Sequence, residues 1–348
     1  MKNVLFVGEL PPKTIHGVSN SNKINLEILS TFFNVFVVEE CNPYQEHKKK
    51  SFTKLKRIWR LYKKVRNIEK KNRIDFFYIS VAVSYFGMLK NLLFLYAFRS
   101  EKSSTKIICH VHRGDFELFY NSSFFARKLT RMFINRVDKL IFLSPSLIPS
   151  FFKESDKICC LANTIYPEKK YDIIPSKKRN FLYLSNYIKE KGIIDLLAIF
   201  VTIDNESLSL KCYGNFTDNL LQKQIKSYDD RRITINDSIT EQKFYIINNS
   251  DALILPSYNE GQPLVILEAM MCGTIVIASD VGDIKNMMGE NYPFLFQKGN
   301  REDLRRKIQL FLDTDTDQLN MLASVLQQRY FERYSNEKHK ETLIAIFS

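Results

Sequence analysis

The sequence offers little with which to hold a structural metal. Its six cysteines, Cys41, Cys109, Cys159, Cys160, Cys212 and Cys272, show none of the paired spacings that ligate zinc. Adjacent Cys159 and Cys160 point to opposite faces of an apparent strand, so all six read as reduced thiols of a cytosolic protein. No secretory leader is visible, because the apolar run after Lys2 stops at Gly8 and Glu9. A membrane span needs about 20 mainly apolar residues. The best candidate, residues 81–98, carries Lys90 in its middle and reads instead as a buried helix. Repeats, low-complexity tracts and nucleic-acid motifs are absent. The remainder is ordinary for a globular chain, 45% hydrophobic and 26% charged. At 348 residues it exceeds the size at which one core keeps growing, which implies two domains.

Apolar runs alternate with helical patterns throughout, the mark of α/β architecture with parallel sheets. Strands are expected near residues 3–7, 34–38, 75–79, 106–110, 139–143 and 157–161. A second set is expected near 180–184, 207–213, 232–235, 252–255, 274–278 and 293–296. Residues 163–179, rich in Lys, Tyr and Pro, read as a linker. The segment 329–348 reads as helix.

The most specific pattern is Ser257-Tyr-Asn-Glu260-Gly261-Gln-Pro263-Leu264-Val265-Ile-Leu-Glu268-Ala269-Met270. The strand before it ends at Pro256. Pro263 is expected as the first helical residue, where its missing N–H costs nothing. The bare amides of such a helix start form an anion site. Glu260 then lies in the loop at the mouth of that site. Glu268 lies about 7–8 Å further along the helix, at 1.5 Å rise per residue. A phosphate on the amides and hydroxyl-rich groups at the two carboxylates describe a nucleotide-sugar. Gly273 is placed to end the helix in the left-handed region, and Ser279-Asp-Val-Gly282 turns out of the next strand.

This block resembles the donor-binding signature of the large retaining glycosyltransferase family usually called GT4. Its Ser-x-x-Glu-Gly-x-Pro, Glu-Ala-Met and Ala-Ser-x-x-Gly elements are matched by Ser257, Glu260, Gly261, Pro263, Glu268, Ala269, Met270, Ala278, Ser279 and Gly282. Thr274, Asp283 and Asn286 depart from the family pattern. The resemblance implies the GT-B fold, two Rossmann-like domains facing across a cleft. The first domain would span residues 1–165 and bind acceptor, with a terminal helix, about 332–348, crossing back to it. The second, residues 166–331, would bind the donor.

Two further motifs follow strands. His110-Val-His112-Arg113-Gly-Asp115 carries two histidines that point the same way. A metal reading needs a third ligand, and neither His16, His47 nor His339 has a clear partner spacing. The resemblance instead makes His112 a residue facing the donor sugar. Asp115 would contact acceptor or cap the following helix. No role is assigned to Arg113. In Ser185-Asn186-Tyr-Ile-Lys189-Glu-Lys191-Gly192 the family places an arginine where Asn186 stands, and a diphosphate-binding lysine that matches Lys191. Lys189 could compensate as a point charge, without the fork of an arginine. Gly17, ahead of a helix starting near Asn20, fits the glycine loop of the first domain, although His16 replaces the first of its two glycines. Asn163 sits where the family has a Pro-Asn-Gly turn.

Charge is localised. Between Lys48 and Arg73 thirteen lysines and arginines face only Glu69, almost the whole formal +13 of the chain. Phe52, Leu55, Ile58, Trp59, Tyr62, Val65 and Ile68 recur at steps of three or four, so an amphipathic helix is expected, with its aromatics on the buried stripe. Its basic face suits an anionic membrane surface better than nucleic acid. Asp313-Thr-Asp315-Thr-Asp317 has the spacing of a metal-binding Asp-x-Asp but follows a helix, so it reads as an acidic helix connection.

The resemblance therefore implies a retaining, metal-independent glycosyltransferase with no cofactor. It would use a UDP- or GDP-sugar and a lipid-linked or oligosaccharide acceptor, in surface-polysaccharide synthesis. It would sit in the cytoplasm, peripheral on the inner face of the membrane, with no nucleic-acid partner. His112 and Glu260 are the expected catalytic residues. Gly17, Asn186, Lys191, Gly261, Pro263, Leu264, Val265 and Glu268 are the expected donor contacts; Asn163, Arg113 and Asp115 are placed near the acceptor. A non-catalytic subunit of the same fold and a nucleotide-sugar epimerase or phosphorylase are the alternatives.

Overall fold

The computed structural model describes residues 1–40, 51–98, 104–152, 155–239 and 241–348. Cys41, His47, Lys48, Lys49 and Lys50 lie outside them. The chain divides into two compact units. One comprises Met1–Thr164 with Glu337–Ser348, the other Ile165–Asn336.

Unit 1 runs β1 (Asn3–Glu9), α1 (Gly17–Phe32), β2 (Asn34–Glu40), α2 (Ser51–Lys71), β3 (Phe76–Ser80), α3 (Tyr85–Ala97), β4 (Lys106–Val111), α4 (Phe116–Asn121), α5 (Phe124–Ile134), β5 (Lys139–Phe142) and β6 (Ile158–Cys160). Its strands pair in parallel in the order β2-β1-β3-β4-β5-β6. Unit 2 runs β7 (Asn180–Leu184), α6 (Ile193–Phe200), β8 (Ser209–Tyr213), α7 (Asn219–Lys226), β9 (Ile233–Asn236), α8 (Lys243–Asn248), β10 (Ala252–Leu255), α9 (Leu264–Cys272), β11 (Ile275–Ser279), α10 (Ile284–Met288), β12 (Leu295–Phe296), α11 (Arg301–Asp313) and α12 (Thr316–Arg333). Its parallel order is β12-β11-β10-β7-β8-β9. The last helix, α13 (Asn336–Ile346), belongs to unit 1 for nearly all its length.

Every strand expected from sequence is present, because strands buried on both faces read as continuous apolar runs. Two cores flank the first sheet. One packs Ile58, Leu61 and Val65 of α2, Met88, Leu92 and Leu95 of α3, and Leu129 and Phe133 of α5. The other packs Leu29 of α1 and Leu343, Ile346 and Phe347 at the C-terminal end.

Several expectations need correction. The expected C-terminal helix is two, broken at Tyr334 and Ser335, whose residues do not continue α12. The first helix starts at Gly17 and not near Asn20, because His16 caps it, accepting from the Ser19 amide. The helix within residues 81–98 is only half-buried: Tyr85, Phe86, Leu89 and Tyr96 are exposed. The buried stripe of α2 is Ile58, Leu61 and Val65, whereas Leu55 and Trp59 face outward, Trp59 with 52% exposure. Trp59 is stacked on Tyr62 at 5.3 Å. Asp313–Asp317 joins α11 to α12, and Asp315 caps α12 through the amide of Asp317. No helix among the described residues is long and apolar enough to cross a membrane.

Candidate active site

In a parallel sheet, ligands gather at the carboxyl ends of the strands. At that end of the second sheet three loops interlock. The loop after β10 donates the Tyr258 amide to Glu190 O of the loop after β7 at 2.8 Å. Gly192, at φ 68°, lies so close to this loop that a Cβ would stand 1.9 Å from Pro256 O. The turn after β11 donates the Asp283 amide to Gly261 O at 2.9 Å. Gly282, at φ 60°, likewise leaves no room: a Cβ would stand 2.2 Å from Glu260 O. Only glycine fits such left-handed, crowded positions.

This interlock brings Lys191 and Glu260 together, Nζ to Oε1 2.6 Å, with their side chains 25% and 9% exposed. Pro263 occupies the N-cap of α9, one position earlier than the sequence implies, and the helix proper starts at Leu264. Proline supplies no capping side chain, so the first amides of α9 have no side-chain cap. Glu268 lies inside α9, buried, and its Oε1 meets Lys243 Nζ of α8 at 2.5 Å. Burial pushes the Glu268 carboxyl up, and Lys243 opposes the rise. Lys243 is the residue that sequence reasoning missed: it lies 25 positions away in an unremarkable helix. Gly273 closes α9 at φ 70°. Asn186 is half-exposed, and its Oδ1 accepts from the Asn215 amide at 3.4 Å. Lys189 is exposed at the start of a short 3-10 turn ending at Lys191.

In unit 1 the strand end of β4 carries His110 and His112, ring centroids 3.9 Å apart and both buried. Neither ring nitrogen of His112 has a hydrogen-bond partner among the described residues. Burial pulls its pKa down to about 3, with His16 and His339 adding repulsion, so the ring is neutral at physiological pH. Behind it runs a polar chain. Tyr78 OH and His110 Nδ1 are 2.7 Å apart, and Asn25 Nδ2 donates to Tyr78 OH at 3.0 Å. His339 Nε2 meets Asn25 Oδ1 at 2.6 Å, and its Nδ1 donates to Ala162 O at 2.6 Å. All four described histidines therefore serve one region of unit 1, a clustering that their sequence positions hide.

Asp115 takes the N-cap of α4 but makes no side-chain capping bond. Its carboxylate is held by Arg113, Nε to Oδ1 2.8 Å, which corrects the capping expectation and gives Arg113 a role. Asn163 is buried, and its Oδ1 accepts from Ser21 Oγ at 2.9 Å. Gly17 has open space where a Cβ would stand, so its backbone does not require glycine. The structure thus gathers Lys191, Glu260, Gly261, Pro263, Leu264, Val265 and Glu268 in unit 2. His112, Arg113, Asp115, Gly17 and Asn163 lie in unit 1. Among the described residues no three His, Cys, Asp or Glu side chains form a metal-binding group.

Comparison with known proteins bears chiefly on the second unit. Residues 166–325 match the model described as glycosyl transferases group 1. The match spans most of the second unit and resembles the group 1 glycosyl transferases there. A Campylobacter jejuni relative, the N,N'-diacetylbacillosaminyl-diphospho-undecaprenol alpha-1,3-N-acetylgalactosaminyltransferase, is 33% identical over 101 residues, 26% of this chain and 27% of its own. TuaC of Bacillus subtilis, a putative teichuronic acid biosynthesis glycosyltransferase, is 26% identical over 135 residues, 39% of this chain and 33% of its own. The chain thus aligns with about a third or less of these relatives. Solved structures match throughout. Sucrose-phosphate synthase from Thermosynechococcus elongatus superposes with TM-score 0.78 at 14% identity, covering 100% of this chain and 98% of that one. HepE from Anabaena, solved with UDP and glucose, gives 0.70 at 14% identity, covering 100% and 99%. A group 1 domain in a chain of this architecture has the GT-B fold.

Proposed function

We propose that the protein is a retaining glycosyltransferase that moves a sugar from a nucleotide-diphosphate donor to an acceptor hydroxyl. The observation that carries the reading is the interlock of the loops after β7, β10 and β11. It sets Lys191, Glu260 and the start of α9 at one end of one sheet, with Glu268 behind them. The amides of Leu264 and Val265 and the Lys191 ammonium would stabilise charge growing on the leaving diphosphate. Glu268 would accept from the ribose diol, and Glu260 would contact the sugar or its phosphate end. In unit 1, neutral His112 would serve the sugar, and Arg113 and Asp115 the acceptor. No metal enters this account.

HepE was solved with UDP and glucose, so UDP-glucose is the first donor to test, followed by other UDP- and GDP-sugars. The C. jejuni relative is named for a diphospho-undecaprenol acceptor, which makes polyprenyl-diphosphate glycans the acceptor class to test. The basic helix α2 would hold the protein on the inner face of an anionic membrane, where such acceptors reside. The experiment incubates the protein with each donor in EDTA. It measures nucleoside diphosphate release, with and without acceptor, and the anomeric configuration of product by NMR. Retained configuration without added metal supports the reading. Failure to bind any nucleotide-sugar sinks it. Isomerised donor or dependence on phosphate turns it toward an epimerase or phosphorylase.

A further inference from the structure

The polar chain behind His112 admits only certain proton positions. It runs from His339 of α13 through Asn25 of α1 and Tyr78 of β3 to His110 of β4, all in unit 1. Asn25, Tyr78 and His110 are fully buried, and His339 is 4% exposed. Four buried polar groups cost desolvation unless each is satisfied. Docking α13 does not ask for them, because Leu343, Ile346 and Phe347 already seat the C-terminal end on the sheet.

Each link needs one donor and one acceptor. Ala162 O only accepts, so the His339 Nδ1 that meets it at 2.6 Å carries a proton. Buried with no carboxylate against it, the ring keeps its pKa down at about 4 and holds that one proton at neutral pH. Its Nε2 is then a bare lone pair, and the Asn25 atom facing it at 2.6 Å must donate. An amide turned over about its last bond exchanges oxygen for nitrogen with little change of shape. Neutral His339 therefore calls for Asn25 Nδ2 on its own side and Asn25 Oδ1 toward Tyr78. Burial pushes the Tyr78 hydroxyl pKa up, so it holds its single proton. It gives that proton to Asn25 across 3.0 Å. Its oxygen is left to accept from His110 Nδ1 across 2.7 Å. His110 is also kept neutral by burial, so its one proton sits on Nδ1 and its Nε2 is bare. A cationic His339 would reverse every link and put the His110 proton on Nε2.

We infer that His339 is a positioning residue for His112. Through Asn25 and Tyr78 it fixes His110 as the Nδ1–H tautomer in one ring orientation, and the His110 ring in turn orients His112. The inference rests on the proposed function for what His112 does. The last link is a ring contact. The two imidazoles lie 3.9 Å apart, tilted by 34°. Neither nitrogen of His112 has a hydrogen-bond partner among the described residues, so no such bond sets its orientation. A side chain near the end of the sequence thus reaches the expected reaction centre without touching substrate.

Ring-nitrogen NMR of the isotopically labelled full chain at neutral pH tests this. In the parent, His339 and His110 should each show a protonated Nδ1 and a bare Nε2. Tyr78→Phe keeps the ring packed between Phe6 and Phe347 and removes one link. His110 should then lose its single tautomer, and the His112 ring signals should shift with it. His339→Leu should do the same. His339→Gln supplies one N–H and one acceptor at the same place, so it should preserve the tautomer. With UDP-glucose as probe, the kcat of hydrolysis should fall about tenfold or more in Tyr78→Phe and His339→Leu, the usual scale for a displaced reacting group. It should recover in His339→Gln, and the Kd for UDP should stay unchanged throughout. A parent His110 protonated on Nε2 overturns the inference. So does a tautomer that Tyr78→Phe leaves alone, or full turnover by Tyr78→Phe once the tautomer has changed. Should His339→Leu not fold, the parent spectrum and Tyr78→Phe decide alone. A parent that turns over no nucleotide-sugar sinks the proposed function instead, and the tautomer of His110 and the His112 signals then judge the inference by themselves.

Discussion

Lys191 and Glu260 neutralise each other across 2.6 Å, with the carboxylate nearly buried. Under the proposed function, a donor diphosphate that took the lysine would leave Glu260 in need of a new partner, which a sugar hydroxyl would supply. Removing one member strands the other. Lys191→Met should destabilise unit 2 by about 1–3 kcal/mol, below the cost for a fully buried pair because the lysine is partly solvated. Glu260→Gln should cost less. The double variant should be less than additive, with a coupling of about 0.5–3 kcal/mol. Urea denaturation of the four proteins checks this, and strict additivity would refute the coupling.

Glu268 should set nucleotide affinity. Glu268→Ala is expected to weaken nucleoside diphosphate binding about 10–100-fold, the loss of a charge-assisted hydrogen bond of about 1.5–3 kcal/mol. Burial raises the Glu268 pKa, and only the ionised form accepts both ribose hydroxyls. Affinity should therefore fall as pH drops, beginning above the ordinary carboxylate range, and Glu268→Gln should flatten that profile. Calorimetry across pH decides it; an unchanged Kd for Glu268→Ala removes the ribose assignment.

His112→Ala should abolish transfer while leaving the fold and the nucleoside diphosphate affinity of unit 2 intact. Activity should persist in EDTA. Full turnover of that variant, or loss in EDTA restored by Mn²⁺, would contradict the role given to His112.

The buried histidines predict acid sensitivity in unit 1. Burial lowers His110 well below its ordinary value, His112 to about 3 and His339 to about 4. A depressed pKa means that unfolding takes up protons. The stability they contribute is present above about pH 6.5 and is lost as pH falls from there toward their folded values. Each contributes at most about 1.4 kcal/mol per pH unit in that window. Trp59 lies in unit 1 and has no counterpart in unit 2. Its emission should therefore show unit 1 unfolding at lower urea as pH drops from 6.5 to about 4.5. His339→Asn should shallow that dependence.

The strands were legible because each is an apolar run between turn residues, and the end of α9 because glycine adopts φ 70° at Gly273 without strain. The site loops were legible through a local string, from Ser257 to Met270. Its partners were not, since pairing over distance leaves no spacing to read. Lys243 meets Glu268 across 25 positions and His339 meets Asn25 across 314. The exposure of Trp59 was hidden for another reason. Steps of three and four fit two neighbouring stripes of α2, and only the sheet decides that Ile58, Leu61 and Val65 face inward. Pro263 reads as a first helical residue yet is the N-cap, because neither position has an N–H owed to an intrahelical bond.

The return of α13 to unit 1 has a consequence for how the chain is made. Unit 2 is one continuous stretch, complete once residue 336 has left the ribosome. Unit 1 begins synthesis first yet must wait for Leu343, Ile346 and Phe347 to cover Val4, Phe6, Phe76 and Tyr78. During that interval the sheet face beside α1 stays partly uncovered and Asn25 lacks its histidine. The half that starts earliest therefore finishes last, and it is the half that a nascent-chain chaperone would guard.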